Sequence, residues 1–437
     1  MNKKFSIITL GCDKNTVDSE RMAFILSSAG HEFCPEPDQA DYIIVNTCGF
    51  ISDAKEQSVQ AILQAAVHKE SRRGVKLIVC GCLAQRYESE LRSGIPEIDM
   101  IAGTLSEEEI AAFIGDGRHA PAENPAGNGR ILSGPPHYAY IKISEGCSKN
   151  CSFCIIPKIR GAQKSRPAED IISEAENLAR SGVRELIIIA QDSGDYGTDI
   201  YAKRMLPALL TELGRIEGLK WIRLMYVYPE NITEELVSAM SSTESVLSYI
   251  DIPFQHCSDR VLRAMNRPAG RAAILEKIAF LRERIPDIAI RSTFIAGFPG
   301  EREEDVCELE EFLSEAKLDR VGIFEYSREE GTAAYSFDEQ TDDETKQDRL
   351  ERLMLRQQEI SEAKLESFLD KTMEVIIDEK EAEGIYIARS YMDAPEVDGT
   401  VYVYSSTELD AGRFYNVKIT DSMEHDLIAV YEGGEAE

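Results

Sequence analysis

Cys147, Cys151 and Cys154 stand in a CxxxCxxC run, three thiols within eight residues. A loop of this length lets all three point inward around one face of a cube of iron and sulfide, and thiolates are the ligands such clusters require. Three local cysteines leave one iron of a four-iron cluster with an open position. The amino and carboxylate groups of S-adenosylmethionine can fill it, and an electron from the cluster can then break the sulfonium bond. The competing reading is zinc. Zinc sites are usually built from separated CxxC pairs with four protein ligands, and no fourth Cys or His is suitably spaced here. Inert buried thiols would need three cysteines to cluster by chance.

The stretch GCSKNCSFCIIPKIRG, residues 146–161, resembles the signature of the radical S-adenosylmethionine superfamily, in which an aromatic residue precedes the third cysteine, as Phe153 does here. The resemblance implies further contacts to S-adenosylmethionine: Gln191 and Asp192 at the methionine amino group, and Thr293 and Gly297, within Thr293 to Gly300, near the adenine. Three more stretches, LGCDKN with Cys12, NTCGF with Cys48 and GCLAQR with Cys82, resemble the cysteine motifs of the methylthiotransferase N-terminal domain, which bind a second cluster. Singly each is weak, because a cysteine at a strand end is commonly a small buried hydrophobe. Together they sit at matching ends of successive strands. The resemblance covers nearly the whole chain and places it with the radical S-adenosylmethionine methylthiotransferases. It implies two [4Fe-4S] clusters held by Cys147, Cys151, Cys154 and by Cys12, Cys48, Cys82, an external electron donor, and insertion of sulfur into an unactivated C–H bond followed by methylation of that sulfur.

Two branches of that family differ in substrate. One modifies an isopentenylated adenosine in tRNA, the other the beta carbon of an aspartate in ribosomal protein S-twelve. A tRNA-binding C-terminal domain should present Lys and Arg to phosphates. From Lys371 to Glu437 there are 5 Lys and Arg against 16 Asp and Glu, a balance of −11. The segment RSYMDAPEVDG, residues 389–399, also resembles the ribosomal-protein branch, although its composition equally describes a plain turn. The expected substrate is therefore the basic ribosomal protein, with tRNA the alternative. In the implied mechanism a 5'-deoxyadenosyl radical abstracts a hydrogen from the aspartate, and the carbon radical meets sulfur on the second cluster. A second S-adenosylmethionine then supplies the methyl group. No side chain is assigned as a general base.

Short apolar strands alternating with amphipathic stretches must position these residues. Phe5 to Leu10, Tyr42 to Asn46 and Lys76 to Cys80 read as strands, with helices over Ser19 to Ala29 and Asp53 to Val67, a pattern for a parallel sheet covered by helices. Functional residues of such sheets gather at the carboxyl ends of strands. Residues 118–137, rich in Pro, Gly, Ala and Asn, read as a linker. The alternation then repeats six times, with strands at Tyr140 to Ile143, Glu185 to Ala190, Trp221 to Tyr228, Tyr249 to Pro253, Ala289 to Ile295 and Val321 to Tyr326, as in an incomplete barrel. A charged helix over Asp343 to Leu369 leads to five short Val-, Ile- and Tyr-rich strands, the pattern of a small β-barrel. The expected fold class is α/β: an N-terminal parallel domain at 1–117, the linker, a radical S-adenosylmethionine partial (βα)6 barrel at 138–369, and a TRAM-like all-β barrel at 370–437.

The whole chain of 437 residues carries 48 Lys and Arg against 78 Asp and Glu, a net charge of −30 that repels polyphosphates and would steer a basic protein toward it; solubility alone is the other explanation. No run approaches a spanning helix, and Phe5 to Leu10 is too short for a signal core, so a cytoplasmic protein without membrane partners is expected. Ten cysteines in a reducing compartment point to metal binding or catalysis. Cys80 reads as a core residue, Cys34, Cys257 and Cys307 as structural or incidental, and His256 as either an active-site or a hydrogen-bonded structural histidine.

Overall fold

The computed structural model describes residues 2–115 and 129–433, so residues 118–128 of the expected linker lie outside the described residues. The N-terminal region runs β1 (Lys4–Thr9), α1 (Asp13–Ser28), β2 (Glu32–Phe33), β3 (Tyr42–Thr47), α2 (Ser52–Ser71), β4 (Lys76–Gly81), α3 (Cys82–Arg86), α4 (Glu88–Gly94), β5 (Met100–Ile101) and α5 (Glu107–Ile114). Its strands pair in parallel in the order β2-β1-β3-β4-β5. Ile43, Val45, Leu77 and Val79 pack beneath Ile62 and Leu83, while Ile44 and Ile78 pack on the other face with Leu26 and Ile110. Burial on both faces is why β3 reads as a nearly unbroken apolar run. Helix α1 begins six residues earlier than the apolar period predicts. Lys14, Asn15 and Asp18 break that period yet are buried, because this face of the helix packs against polar partners rather than an apolar core.

The central region contains β6 (Tyr138–Lys142), β7 (Ser144–Glu145), α6 (Ile156–Ile159), β8 (Lys164–Ser165), α7 (Ala168–Arg180), β9 (Glu185–Ile189), α8 (Leu206–Leu213), β10 (Trp221–Leu224), α9 (Glu234–Ser242), β11 (Val246–Asp251), α10 (Asp259–Ala264), α11 (Arg271–Arg284), β12 (Ala289–Ala296), α12 (Glu303–Ala316) and β13 (Arg320–Glu325). Six parallel strands follow one another in chain order, β6-β9-β10-β11-β12-β13, and the sheet stays open between β6 and β13. The strand expected over Trp221 to Tyr228 stops at Leu224. Tyr226 takes a left-handed backbone, φ 61°, which ends the pairing and turns the chain across the carboxyl end of the sheet.

Helix α13 (Asp343–Glu366) leads into β14 (Thr372–Ala382), β15 (Ile385–Ser390), β16 (Val401–Ser405), β17 (Phe414–Ser422) and β18 (Leu427–Tyr431), a closed barrel ordered β14-β15-β16-β18-β17. The connection from β15 to β16, RSYMDAPEVDG, is not a plain turn. It threads inside the open sheet and meets all six strands. Arg389 pairs with Glu185 of β9 (2.5 Å), Arg223 of β10 donates to the Tyr391 carbonyl (2.7 Å), and Arg320 of β13 pairs with Asp393. Arg291 of β12 and the Tyr249 hydroxyl of β11 both reach Asp398, at 3.1 and 2.8 Å, and the Tyr140 hydroxyl of β6 donates to the Pro395 carbonyl (3.4 Å). Met392 and Ala394 fill the remaining space with Ile187, Met225 and Tyr249.

Charges taken out of water this completely persist only when paired. Burial alone would push Glu185 up, but Arg389 and Arg223 outweigh it and hold the carboxyl below its usual range. That stabilisation is in place above the ordinary carboxylate range and is lost as pH falls through the lowered value. Replacing Arg389 by Met leaves Glu185 short of one partner and Asp378 short of another. We expect it to cost about 3–5 kcal/mol at neutral pH, with the deficit shrinking in acid, measured by urea unfolding across pH.

Candidate active site

The N-terminal cysteines lie where three strands deliver the chain to three helices. Cys12 caps α1, Cys48 directly follows β3, and Cys82 opens α3. Glycines let these turns close on each other. A Cβ on Gly11, whose φ is +91°, would stand 2.6 Å from the Cβ of Cys48, and one on Gly49 would stand 2.8 Å from the backbone of Leu83. Asn15 ties the Cys12 and Cys48 turns together by donating to the carbonyls of Leu10 (2.7 Å) and Thr47 (3.1 Å), and Ser58 fixes the Cys48 turn further by bonding both backbone groups of Cys48. Burial pushes the Cys48 thiol up and Cys82 up to about 11, and the thiols raise one another. Such a set needs a bound cation to become thiolate.

The second thiol set hangs on a loop closed at its base. Gly146 sits against the carbonyls of Arg160 and Gly161, and the Cys147 amide donates to Gly161 (3.0 Å). Within it the Cys154 amide donates to Cys151 (3.1 Å). Burial pushes Cys147 up to about 11 and Cys154 up to about 12, with neighbouring thiols adding to both. The Tyr228 hydroxyl lies 3.6 Å from the Cys151 sulfur and an Arg267 nitrogen 3.8 Å from it, with the guanidinium stacked 4.0 Å over the Tyr228 ring. Among the described residues no three Cys, His, Asp or Glu side chains converge on a point that one metal ion could occupy. A single zinc ion needs that convergence, whereas a cube of iron and sulfide spreads its thiolates around its own body. Three thiols on one loop and three at adjoining strand ends, with Tyr228 and Arg267 against Cys151, are the donor chemistry that iron–sulfur clusters take.

The five residues expected at S-adenosylmethionine surround this loop in different ways. Gln191 is half-buried, donates to Glu145 (3.2 Å), and leaves its buried Oε1 without a partner. Asp192 is buried and already engaged: it accepts from the Gly194 amide (3.1 Å) and from Asn231 on both oxygens, and Lys149 lies 3.5 Å away. Burial, then Asp195, pushes it up to about 6. Phe153 packs with Phe298 and Ile295, which brings the cysteine loop to the end of β12. There Gly297, φ +74°, donates to Glu301 (3.0 Å). Thr293 lies on β12 and its carbonyl accepts from the Gln255 amide (2.8 Å).

The motifs do not reveal what joins the two thiol sets. Arg160, six residues past Cys154 and almost wholly buried, donates to Glu145 (2.8 Å), to Asp18 (3.3 Å) and to Asn15 of the N-terminal site, and its charge draws the Cys82 thiol down against the effect of burial. Lys142 pairs with the same Asp18 and with Glu145 (2.6 Å). Cys82 packs directly on Ile155 and Ile159. On the other side Glu329 pairs with Lys55 (2.8 Å) and Arg86 (2.6 Å), and Arg86 also donates to the Gly49 carbonyl beside Cys48 (3.0 Å). The sequence signal for these links was charge in apolar context: Lys142 inside YAYIK, and Arg160 at the end of the cysteine loop.

Cys80 is a core residue of β4, its thiol pushed up by burial. Cys257 is buried in the central core, Cys34 is buried, and Cys307 is exposed on α12. His256 is wholly buried; its Nδ1 accepts from the Ser258 amide (2.9 Å), while its Nε2, without a hydrogen-bond partner, stands 3.4 Å from Glu301. No helix among the described residues is long and apolar enough to cross a membrane.

Comparison with known proteins agrees with this geometry. Residues 4–103 match the uncharacterized protein family UPF0004, residues 141–313 the radical SAM superfamily, and residues 371–431 the TRAM domain. The chain is 48% identical to the ribosomal protein uS12 methylthiotransferase RimO of Thermoanaerobacter sp. (strain X514), over 98% of this chain and 100% of that protein. It is 46% identical to the enzyme of the same name from Clostridioides difficile (strain 630), over 97% and 98%. Among solved structures it is similar in fold to the radical S-adenosylmethionine methyltransferase TsrM from Kitasatospora setae, at 13% identity, a TM-score of 0.56 and coverage of 74% and 73%.

The differences in exposure among the thiols have a direct readout. Brief alkylation of the metal-free protein, mapped by peptide mass spectrometry, is expected to label the exposed Cys12 and Cys307 and to spare Cys80 and Cys257, which are buried and whose thiols burial pushes up.

Proposed function

The chain belongs to the ribosomal protein uS12 methylthiotransferase family, and from that premise we propose that it adds a methylthio group to the beta carbon of an aspartate in uS12. It is a radical S-adenosylmethionine enzyme, with S-adenosylmethionine and a [4Fe-4S] cluster as cofactors. The observation that carries the fuller reading is that Arg160 binds the two cysteine sites together, as a reaction passing from one cofactor to the other requires.

In this reading Cys147, Cys151 and Cys154 hold the first cluster, and Cys12, Cys48 and Cys82 hold a second [4Fe-4S] cluster. When bound, the two clusters and S-adenosylmethionine supply the one-electron C–H chemistry, the sulfur and the methyl group. The chain's own residues position them. Tyr228 and Arg267 fix Cys151. The unpartnered Oε1 of Gln191 is an acceptor for the ammonium of S-adenosylmethionine, while Asp192 shapes the adjoining turn and holds Lys149 beside the loop. Phe153 and Gly297 close the adenine side, with Thr293 next to them. The cluster loops exclude water by packing Cys82 on Ile155 and Ile159.

An external donor supplies the electron, and the working compartment is the cytoplasm, in keeping with ten free cysteines. We place the functional units at 1–117, 138–369 and 370–437. A tRNA substrate is disfavoured because the C-terminal barrel offers phosphates 5 Lys and Arg among 16 Asp and Glu.

The test incubates anaerobically reconstituted enzyme, S-adenosylmethionine and a strong reductant with a uS12 peptide containing the aspartate. A mass gain of one methylthio group is expected, abolished by Cys147→Ala or Cys48→Ala. Changing Cys12, Cys48 and Cys82 together to Ala should halve the bound iron. Modification of tRNA in place of the peptide would reverse the substrate assignment.

A further inference from the structure

The loop that threads the open sheet ends in a tip that its surroundings do not cover. From Met392 to Pro395 the loop is buried, and Gly399 is buried again, yet Glu396 is exposed and Val397 is 52% exposed. Glu396 also holds a left-handed backbone, φ +68°. A side chain is disfavoured in that conformation, which glycine adopts freely.

A run of contacts connects this tip to the Cys12 turn above it. Asp13, next to Cys12, accepts from the Tyr226 hydroxyl (3.5 Å). The Tyr226 amide donates to Asp251 (3.2 Å), Asp251 pairs with Arg291 (2.9 Å), and Arg291 pairs with Asp398 (3.1 Å), one residue from Val397. Tyr140, whose hydroxyl is on the Pro395 carbonyl, lies between Asp13 and Glu396 and feels the charge of both. The Tyr138 hydroxyl reaches Glu396 itself (3.3 Å). The C-terminal domain thus forms the floor beneath the cofactor loops.

The wall beside that floor is also unfinished. On β13, Val321 and Ile323 face the helices, so Arg320, Gly322 and Phe324 face the inside of the sheet. Phe324 pairs in register with Ile295, next to the pairing of Gly322 with Thr293, and is 54% exposed. Among the described residues β13 and β6 are the edge strands of the sheet, so the inside is reached between them.

We propose that this opening receives the substrate, with Glu396 pairing a Lys or Arg of the basic uS12 segment that carries the target aspartate while Val397 and Phe324 cover its apolar part. The assignment rests on the reading of uS12 as substrate. Charge favours a basic occupant: Glu396 is exposed at the opening, and the chain as a whole carries −30.

The test is fluorescence anisotropy of a labelled uS12 peptide on reconstituted full-length enzyme, with iron content and thermal midpoint measured for every variant. Glu396→Gly removes the side chain and relieves the left-handed strain, so its thermal midpoint should hold or rise while peptide affinity falls about tenfold. Phe324→Ala should weaken binding comparably. Glu396→Lys should weaken it further, and a peptide with one Lys or Arg changed to Glu should recover part of that loss. Native affinity in both Glu396→Gly and Phe324→Ala overturns the proposal. If the native enzyme neither binds nor modifies the peptide, the substrate reading has failed and this assignment falls with it.

Discussion

The architecture depends on one buried cluster of charges: Arg160 and Lys142 facing Asp18 and Glu145. Two cations and two anions sealed from water attract strongly only if each is held in place, and each here comes from an element fixed for another reason. Asp18 sits on α1 behind the Cys12 turn, Lys142 ends β6, Glu145 ends the short strand β7, and Arg160 closes the cysteine loop. Burial by itself would push Glu145 up, yet Lys142 and Arg160 hold it far below its usual range. Two domains that could otherwise rock against each other are thereby locked at the point where the two cysteine sets meet.

The same principle recurs one layer down. A parallel barrel normally fills its interior with branched apolar side chains. Here Glu185, Arg223, Arg291 and Arg320 occupy inward positions, and each is neutralised or bonded by a loop from a different domain. Such an interior is no more stable than an apolar one. It is more selective about its partner, because a loop lacking Arg389, Asp393 or Asp398 would leave a buried charge exposed to nothing.

Much of this was readable from residues alone. Cys12, Cys48 and Cys82 were placed at the ends of successive strands, and the strand-helix alternation of both parallel sheets survived with shifts of a few residues at most strand ends. What the sequence concealed was long-range pairing. Asp18 and Asn15 broke the apolar period of α1 and so hid its first turn, because their burial is decided by Arg160, more than a hundred residues away. RSYMDAPEVDG had turn composition, and only the arginines of distant strands make it an interior segment. The neighbours of His256 were hidden in the same way: the Ser258 amide on one ring nitrogen and Glu301, beyond the next strand, facing the other.

The threaded loop also orders events during synthesis. Arg223, Arg291 and Arg320 leave the ribosome 168, 107 and 73 residues before the groups they bond on the loop. At roughly 5–20 residues per second the central sheet waits several seconds with its inner arginines facing water rather than their final partners. It can close its helices during that time, but it cannot settle its interior until the last domain has emerged. The floor of the catalytic chamber is therefore laid last, and a nascent enzyme has the cysteine loops in place before anything lies beneath them.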